Sequence, residues 1–134
     1  FYDLILKEDS KNLHALIDKG TTLQNLGRIK LAIRSYDKAL DISPDNIDAL
    51  VNKGSAFHLD KKYSDAISCY DRALKIDKKC PMALAYKGLS LAELGQLKEA
   101  IAYFKNALSI DKHYDLAQIS KDTAQDLLKS LQGK

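Results

Sequence analysis

Residues that interrupt helices are scarce in this chain: its 134 residues include two prolines and six glycines. That argues against many short strands joined by tight turns and favours long helices. Cysteine is equally sparse. Cys69 and Cys80 supply neither a disulfide framework nor a metal-ligand spacing, and two reduced thiols suit a cytoplasmic protein. No run approaches the roughly eighteen uninterrupted apolar residues of a membrane span, so no membrane contact is expected. The opening segment, Phe1 to Glu8, lacks the basic region and apolar core of a secretory leader. It also lacks a starting methionine, which predicts a piece cut from a longer protein. His14, His58 and His113 lie far apart, with no His-Glu-x-x-His pattern, phosphate loop or strand-bound glycine fingerprint. No catalytic residue, metal or cofactor is therefore expected. Charge of one sign is also missing: 21 basic against 18 acidic residues leave +3, too little to argue for nucleic acid. Hydrophobic residues make up 46 %, which with so small a net charge excludes a disordered tail and fits one soluble globular domain.

What the chain does have is an internal repeat. Gly20, Gly54 and Gly88 are 34 residues apart. Ala15, Ala49 and Ala83 keep that spacing, as do Leu16, Leu50 and Leu84, and Lys19, Lys53 and Lys87. In the second half of each unit Ala32, Ala66 and Ala100 match, followed by Ile33, Ile67 and Ile101. Then come Tyr36, Tyr70 and Phe104; Ala39, Ala73 and Ala107; Leu40, Leu74 and Leu108; and Ile42, Ile76 and Ile110. Ten columns in one register without an insertion exclude coincidence.

Each unit reads as two helices. Leu16, Gly20 and Leu23 share one face over 13–26, and Ala32, Ile33, Tyr36, Ala39 and Leu40 share one over 29–42. A mid-helix glycine costs about 1 kcal/mol relative to alanine, so its recurrence predicts a close approach of the two helices. Turns are expected within units at Leu26-Gly27-Arg28, Asp60-Lys61-Lys62 and Leu94-Gly95-Gln96. Between units they fall at 43–46, 77–81 and 111–114, where Pro44 and Pro81 suit a break and a new helix start.

The period, the small-residue columns and the proline-containing turn resemble the tetratricopeptide repeat family. That resemblance implies an all-α fold, a right-handed α-solenoid of stacked antiparallel helix pairs. Three repeats are placed at 13–46, 47–80 and 81–114. Residues 1–12 align with the end of a repeat, Tyr2 in the column of Tyr36 and Leu6 in that of Leu40, and predict a remnant second helix, either packed on the first repeat or in contact with another chain. Residues 115–134 predict a C-terminal capping helix and a frayed tail from Ser130. In that helix Leu116, Ile119, Thr123, Leu127 and Leu131 form an apolar stripe to meet its neighbour, while Gln118, Lys121, Asp122 and Gln125 face water. Two departures stand out. The family's apolar residue before the glycine is lysine each time, expected to lay its stem on apolar surface with the ammonium in water. Lys61 replaces the turn glycine found at Gly27 and Gly95, so a tighter or shifted turn is expected there.

The resemblance further implies a non-catalytic scaffold that receives a partner peptide or helix in a concave groove lined by first helices. Its groove columns fall on His14, Ile17, Thr21 and Gln24; on Asp48, Val51, Ser55 and His58; and on Met82, Ala85, Leu89 and Ala92. Leu116 and Ile119 continue them, and Asn52 and Tyr86 join as clamp-column positions. One subgroup captures the C-terminal carboxylate of a chaperone tail with lysine, asparagine and arginine. Those positions fall here on Ile17, Thr21, Asn52, Met82 and Tyr86, where only Asn52 matches. Without opposing cations an anionic carboxylate cannot be held, so the chaperone-tail reading is rejected. The groove grows apolar towards its C-terminal end, which points to a partner with an apolar face, an amphipathic helix or a second copy of this chain. Alternatively the last helix covers that stripe and leaves no site. His14 and His58 suit hydrogen bonding to a partner, and Tyr86 and Tyr114 suit binding or core packing equally. Lysine and arginine are missing from the groove columns, so nucleic acid is not expected. The remaining alternative is a regulatory or self-association arm of a larger multidomain protein, an enzyme included.

Overall fold

The structure, a computed structural model, describes the backbone of residues 2–133 and the side chains of 12–133. Among the described residues there are seven helices and no strand. They are α1 (Tyr2–Asn25), α2 (Ile29–Ile42), α3 (Ile47–Leu59), α4 (Tyr63–Ile76), α5 (Pro81–Glu93), α6 (Leu97–Ile110) and α7 (Asp115–Gln132). Consecutive helices pack as antiparallel neighbours. The odd-numbered helices also touch one another: α1 meets α3, α3 meets α5, and α5 meets α7. The described chain is therefore an α-solenoid of three helix pairs followed by α7. No described helix is long and apolar enough to cross a membrane.

The glycine column explains the pairing. A methyl group built on Gly20 or Gly54 would lie less than 3 Å from atoms of the Tyr36 or Tyr70 ring, and one on Gly88 would crowd Phe104 in the same way. Each ring thus occupies the space a side chain would need. All three aromatics are essentially unexposed, as are the alanine pairs Ala32/Ala39, Ala66/Ala73 and Ala100/Ala107. Small residues bring the backbones together, and one large ring per pair fills what remains.

Capping follows the sequence. Asn46 accepts a bond from the Ala49 backbone N–H at 2.9 Å and caps α3. Pro81 occupies the first turn of α5, where its missing N–H is harmless. The turn at Lys61 departs from expectation, for it is neither tighter nor shifted. Lys61 adopts φ 62°, close to the 80° and 83° of Gly27 and Gly95. Lys62 N–H bonds the Phe57 carbonyl at 2.9 Å, as Arg28 bonds Leu23 at 2.8 Å and Gln96 bonds Leu91 at 2.9 Å. The paired carbonyl bonds that end each first helix hold a lysine in the left-handed region.

Three further expectations change. First, α1 runs unbroken from Tyr2 to Asn25, with no turn between 1–12 and the first repeat. Ser10 stands in the column of Pro44, so nothing there disrupts the hydrogen-bond ladder. Second, the ammonium groups before the glycines do not simply reach water. Lys53 Nζ lies 2.7 Å from Asp37, and Lys87 Nζ lies 2.6 Å from Asp71, each on the preceding pair. Lys87 also donates to the Tyr103 hydroxyl at 2.7 Å. Burial pulls the Lys87 amine down, but the bonds to Asp71 and Tyr103 outweigh it and leave it raised. Third, α7 packs through Ala117 and Ala124, with Leu128 partly buried beside them. Beyond the half-buried Leu116, its apolar stripe stands open: Ile119 is 65 % exposed and Leu131 57 %. Rather than fraying at Ser130, α7 continues to Gln132.

Replacing Gly54 by alanine is expected to cost about 1–2 kcal/mol, overpacking of about 1–3 kcal/mol outweighing about 1 kcal/mol of helix propensity. Urea unfolding would check this, and an unchanged midpoint would count against the close-contact account. Lys61→Gly is expected to raise stability by about 1 kcal/mol by relieving the left-handed lysine; a lowered midpoint would contradict it.

Candidate functional site

The first helices present one side of the solenoid. Between α1, α3, α5 and α7 a cavity of about 290 Å³ opens, lined by Gln24, Ser55, His58, Leu59, Tyr70, Tyr86, Leu89 and Leu116. Six of these eight were expected groove residues; Leu59 and Tyr70 were not. A second cavity of about 320 Å³ lies between α5, α6 and α7 and shares Leu89. Ala92, Glu93, Ile119 and Leu127 line it, above the Phe104 ring. The last helix therefore does not fill the apolar end of the groove.

The groove floor is built from aromatic hydroxyls and their partners. The Tyr36 hydroxyl donates to Gln24 Oε1 at 2.8 Å and lies 3.5 Å from the Thr21 hydroxyl. Burial raises its pKa above the ordinary phenol value. Tyr70 is shifted the same way and more strongly, by burial first, against a hydrogen bond with Ser55. Tyr86 meets the Tyr70 ring edge-on, with centroids 6.0 Å apart. His58 is held at 2.8 Å from the Ser90 hydroxyl by its Nδ1, and its ring meets Tyr63 edge-on at 5.0 Å. Burial lowers the His58 pKa, and the Glu93 charge works weakly against it. Neutral imidazole is thus the favoured form at neutral pH. Stability from this site is present above the ordinary imidazole value and is lost as pH falls through the folded one.

The other expected residues divide by column. His14, Thr21 and Asp48 are exposed; Ile17, Asn52, Ser55 and Ala92 are partly buried. Val51 and Ala85 are buried, contrary to their place in the expected groove. They stand in the column of Ile17 and Ile119, where each first helix meets the next one. Ile119 is exposed because no described helix follows α7. Met82 is 46 % exposed beside Tyr114, Pro81 and Asp111 in a shallower cavity near one end of α5. There burial, with Tyr86, Cys80 and Asp111 nearby, pushes the Tyr114 hydroxyl up to about 12. Sequence reasoning missed Leu59, Ser90 and Glu93, and it placed Tyr70 in the core without assigning it to the groove. Leu59 and Glu93 share a column directly after that of His58 and Ala92, which was a usable signal; Ser90 was not marked by any column.

Among the described residues no group of three or more His, Cys, Asp or Glu side chains could hold a metal ion. Cys69 is buried, Cys80 partly so, and neither is bonded to another sulfur. Burial pushes the Cys69 thiol up, away from the reactive thiolate.

Tetratricopeptide repeat profiles match residues 12–79 and 60–115. The chain belongs to the tetratricopeptide repeat family. No curated protein sequence matches it. Among solved structures it is similar to the first TPR of Spaghetti (RPAP3) bound to the HSP90 peptide SRMEEVD, with 24 % identity, a TM-score of 0.82 and coverage of 89 % of this chain and 94 % of that one. The Sgt2 TPR domain from Aspergillus fumigatus gives 19 % identity and a TM-score of 0.86, over 91 % of this chain and 82 % of that one. A Thermobaculum terrenum O-GlcNAc transferase variant gives 25 % identity and a TM-score of 0.81, over 87 % of this TPR chain but 22 % of the transferase.

Titration followed by NMR should place His58 below about 6.5, and Glu93→Gln should lower it further by removing the opposing charge. A midpoint at or above the ordinary value would overturn the buried-imidazole assignment.

Proposed function

We propose that this chain is a non-catalytic protein-interaction scaffold that binds a partner peptide or helix in the groove of its first helices. The observation that carries this is the open cavity between α1, α3, α5 and α7, which leaves Tyr86, Leu89 and Leu116 partly unburied. The Tyr70 ring beneath is fixed by close packing on Gly54, so the site is preformed. Binding does not use a carboxylate clamp. Ile17, Met82 and Tyr86 stand where the cations of that clamp would be needed, and Asn52 alone fits. The peptide held by Spaghetti is acidic at its C-terminal end. The partner of this chain presents an apolar face instead, and neither nucleic acid nor a membrane is its ligand. Two unlinked cysteines support a cytoplasmic setting.

A second reading is an arm of a larger multidomain protein. It is supported by the likeness to a transferase of which this length covers 22 %. The groove would serve the same binding role there.

Leu89→Glu tests the groove directly, because Leu89 lines both the groove cavity and the one beside α7. The variant should lose the proteins captured by immobilised wild-type chain, and any self-association seen by sedimentation, while keeping its helical circular dichroism. A folded variant with unchanged capture and unchanged sedimentation would sink the groove reading.

A further inference from the structure

We infer, building on the groove reading above, that the partner segment is cationic as well as apolar: lysine or arginine side chains flank an apolar anchor that enters the Tyr86–Leu89–Leu116 cavity. Charge complementarity carries this. The repeat register assigns every first-helix residue to a column, and the cavities show which columns line the groove. Asp18 stands in the column of Tyr86, Asp48 in that of Leu116, and Asp126 in that of His58. Glu93 stands in the column of Leu59 and itself lines the cavity beside α7. All four acids are exposed. Across these columns, in all four first helices, there is no lysine and no arginine.

The cations lie elsewhere. Lys53 and Lys87 are turned to Asp37 and Asp71 on preceding second helices. Lys61, Lys62, Lys78 and Lys79 sit in turns at the helix ends, and Lys62 pairs with Asp60 at 3.7 Å. His58 is kept neutral by burial and adds no positive charge to the groove at neutral pH. The whole chain carries +3, so long-range attraction favours an acidic ligand. Any preference for a basic one is consequently local, arising within about a Debye length (~10 Å at 0.1 M salt) of the groove acids.

The test uses two fluorescent probes of about 14 residues, or four helical turns. One carries leucines on a helical face with lysines elsewhere; the other has each lysine replaced by glutamate. The full chain should bind the lysine probe about tenfold tighter at low salt, with the gap closing as salt rises. The triple variant Asp18→Asn, Asp48→Asn, Glu93→Gln should weaken the lysine probe severalfold. Asp65→Asn with Glu99→Gln, which removes exposed acids from second helices, should leave it unchanged. Equal or reversed affinities that still depend on Leu89 would overturn the cationic partner and leave the groove reading intact. Affinity for either probe that ignores Leu89→Glu would overturn both, as would no binding of either. Sedimentation showing a dimer that excludes both probes would assign the groove to a second copy and also overturn the inference.

Discussion

An aromatic ring edge set into the gap left by a missing side chain fixes the spacing of this solenoid. Tyr36 lies against Gly20, Tyr70 against Gly54 and Phe104 against Gly88, with the same approach in all three pairs. A mid-helix glycine costs about 1 kcal/mol. Burying one aromatic side chain contributes about 4 kcal/mol as an upper figure, so the exchange favours packing. The alanine columns complete the constraint. Their zero exposure leaves no room for a larger residue without moving a helix axis. The second helices are thereby drawn tightly against one face of the first helices, and the opposite face is left free to line a groove.

The same close approach determines what the residue before each glycine can do. It sits at the seam between neighbouring pairs, and a lysine there has a stem long enough to pass along the seam. Its ammonium meets an aspartate of the pair before: Lys53 meets Asp37 and Lys87 meets Asp71. The aspartates are about half exposed, so each bridge contributes about 0–1 kcal/mol. Orientation between pairs is the more important consequence. At the last pair Lys105 takes the aspartate's column, and the lysine column of α7 holds Lys121. The ladder thus stops where α7 begins. That helix is held through Ala117 and Ala124, small contacts that leave the second cavity open between it and α5.

Much of this was legible in the sequence, for reasons specific to repeats. A column matched three times reports a packing environment met three times, so helix pairing, turns and core aromatics could be read directly. Where a residue's environment depends on what comes next, the period failed. Val51 and Ala85 are buried by a following first helix, whereas Ile119 in the same column is exposed. The boundary drawn at residue 12 has no proline to enforce a break, and α1 continues through it. Lys61 looked like a defect because its side chain disfavours positive φ, yet the carbonyl bonds to Lys61 and Lys62 hold the turn in place. Where an ammonium or a histidine ring ends up is a long-range fact. Asp37 is 16 positions from Lys53, a spacing repeated by Asp71 and Lys87 but visible as a contact only in the fold, and Ser90 is 32 from His58 with no pattern linking them.

Variation between matched columns carries its own information. Packing dictates the glycine, alanine and aromatic columns, and these barely change within the chain. The column of Asp18 reads Asp, Asn, Tyr and Ser; that of Asp48 reads His, Asp, Met and Leu. The stacking of helices constrains these columns only in part: Asp18 and Asp48 are exposed, whereas Tyr86 and Leu116 are half-buried. Freedom from packing alone would allow lysine, the commonest charge in this chain, yet lysine is missing from these columns and abundant on turns. The +3 of the chain therefore misdescribes its groove. The face lined by the first helices is apolar at one end and carries exposed acids along its length, a distinction that emerges only once the columns are placed on helices.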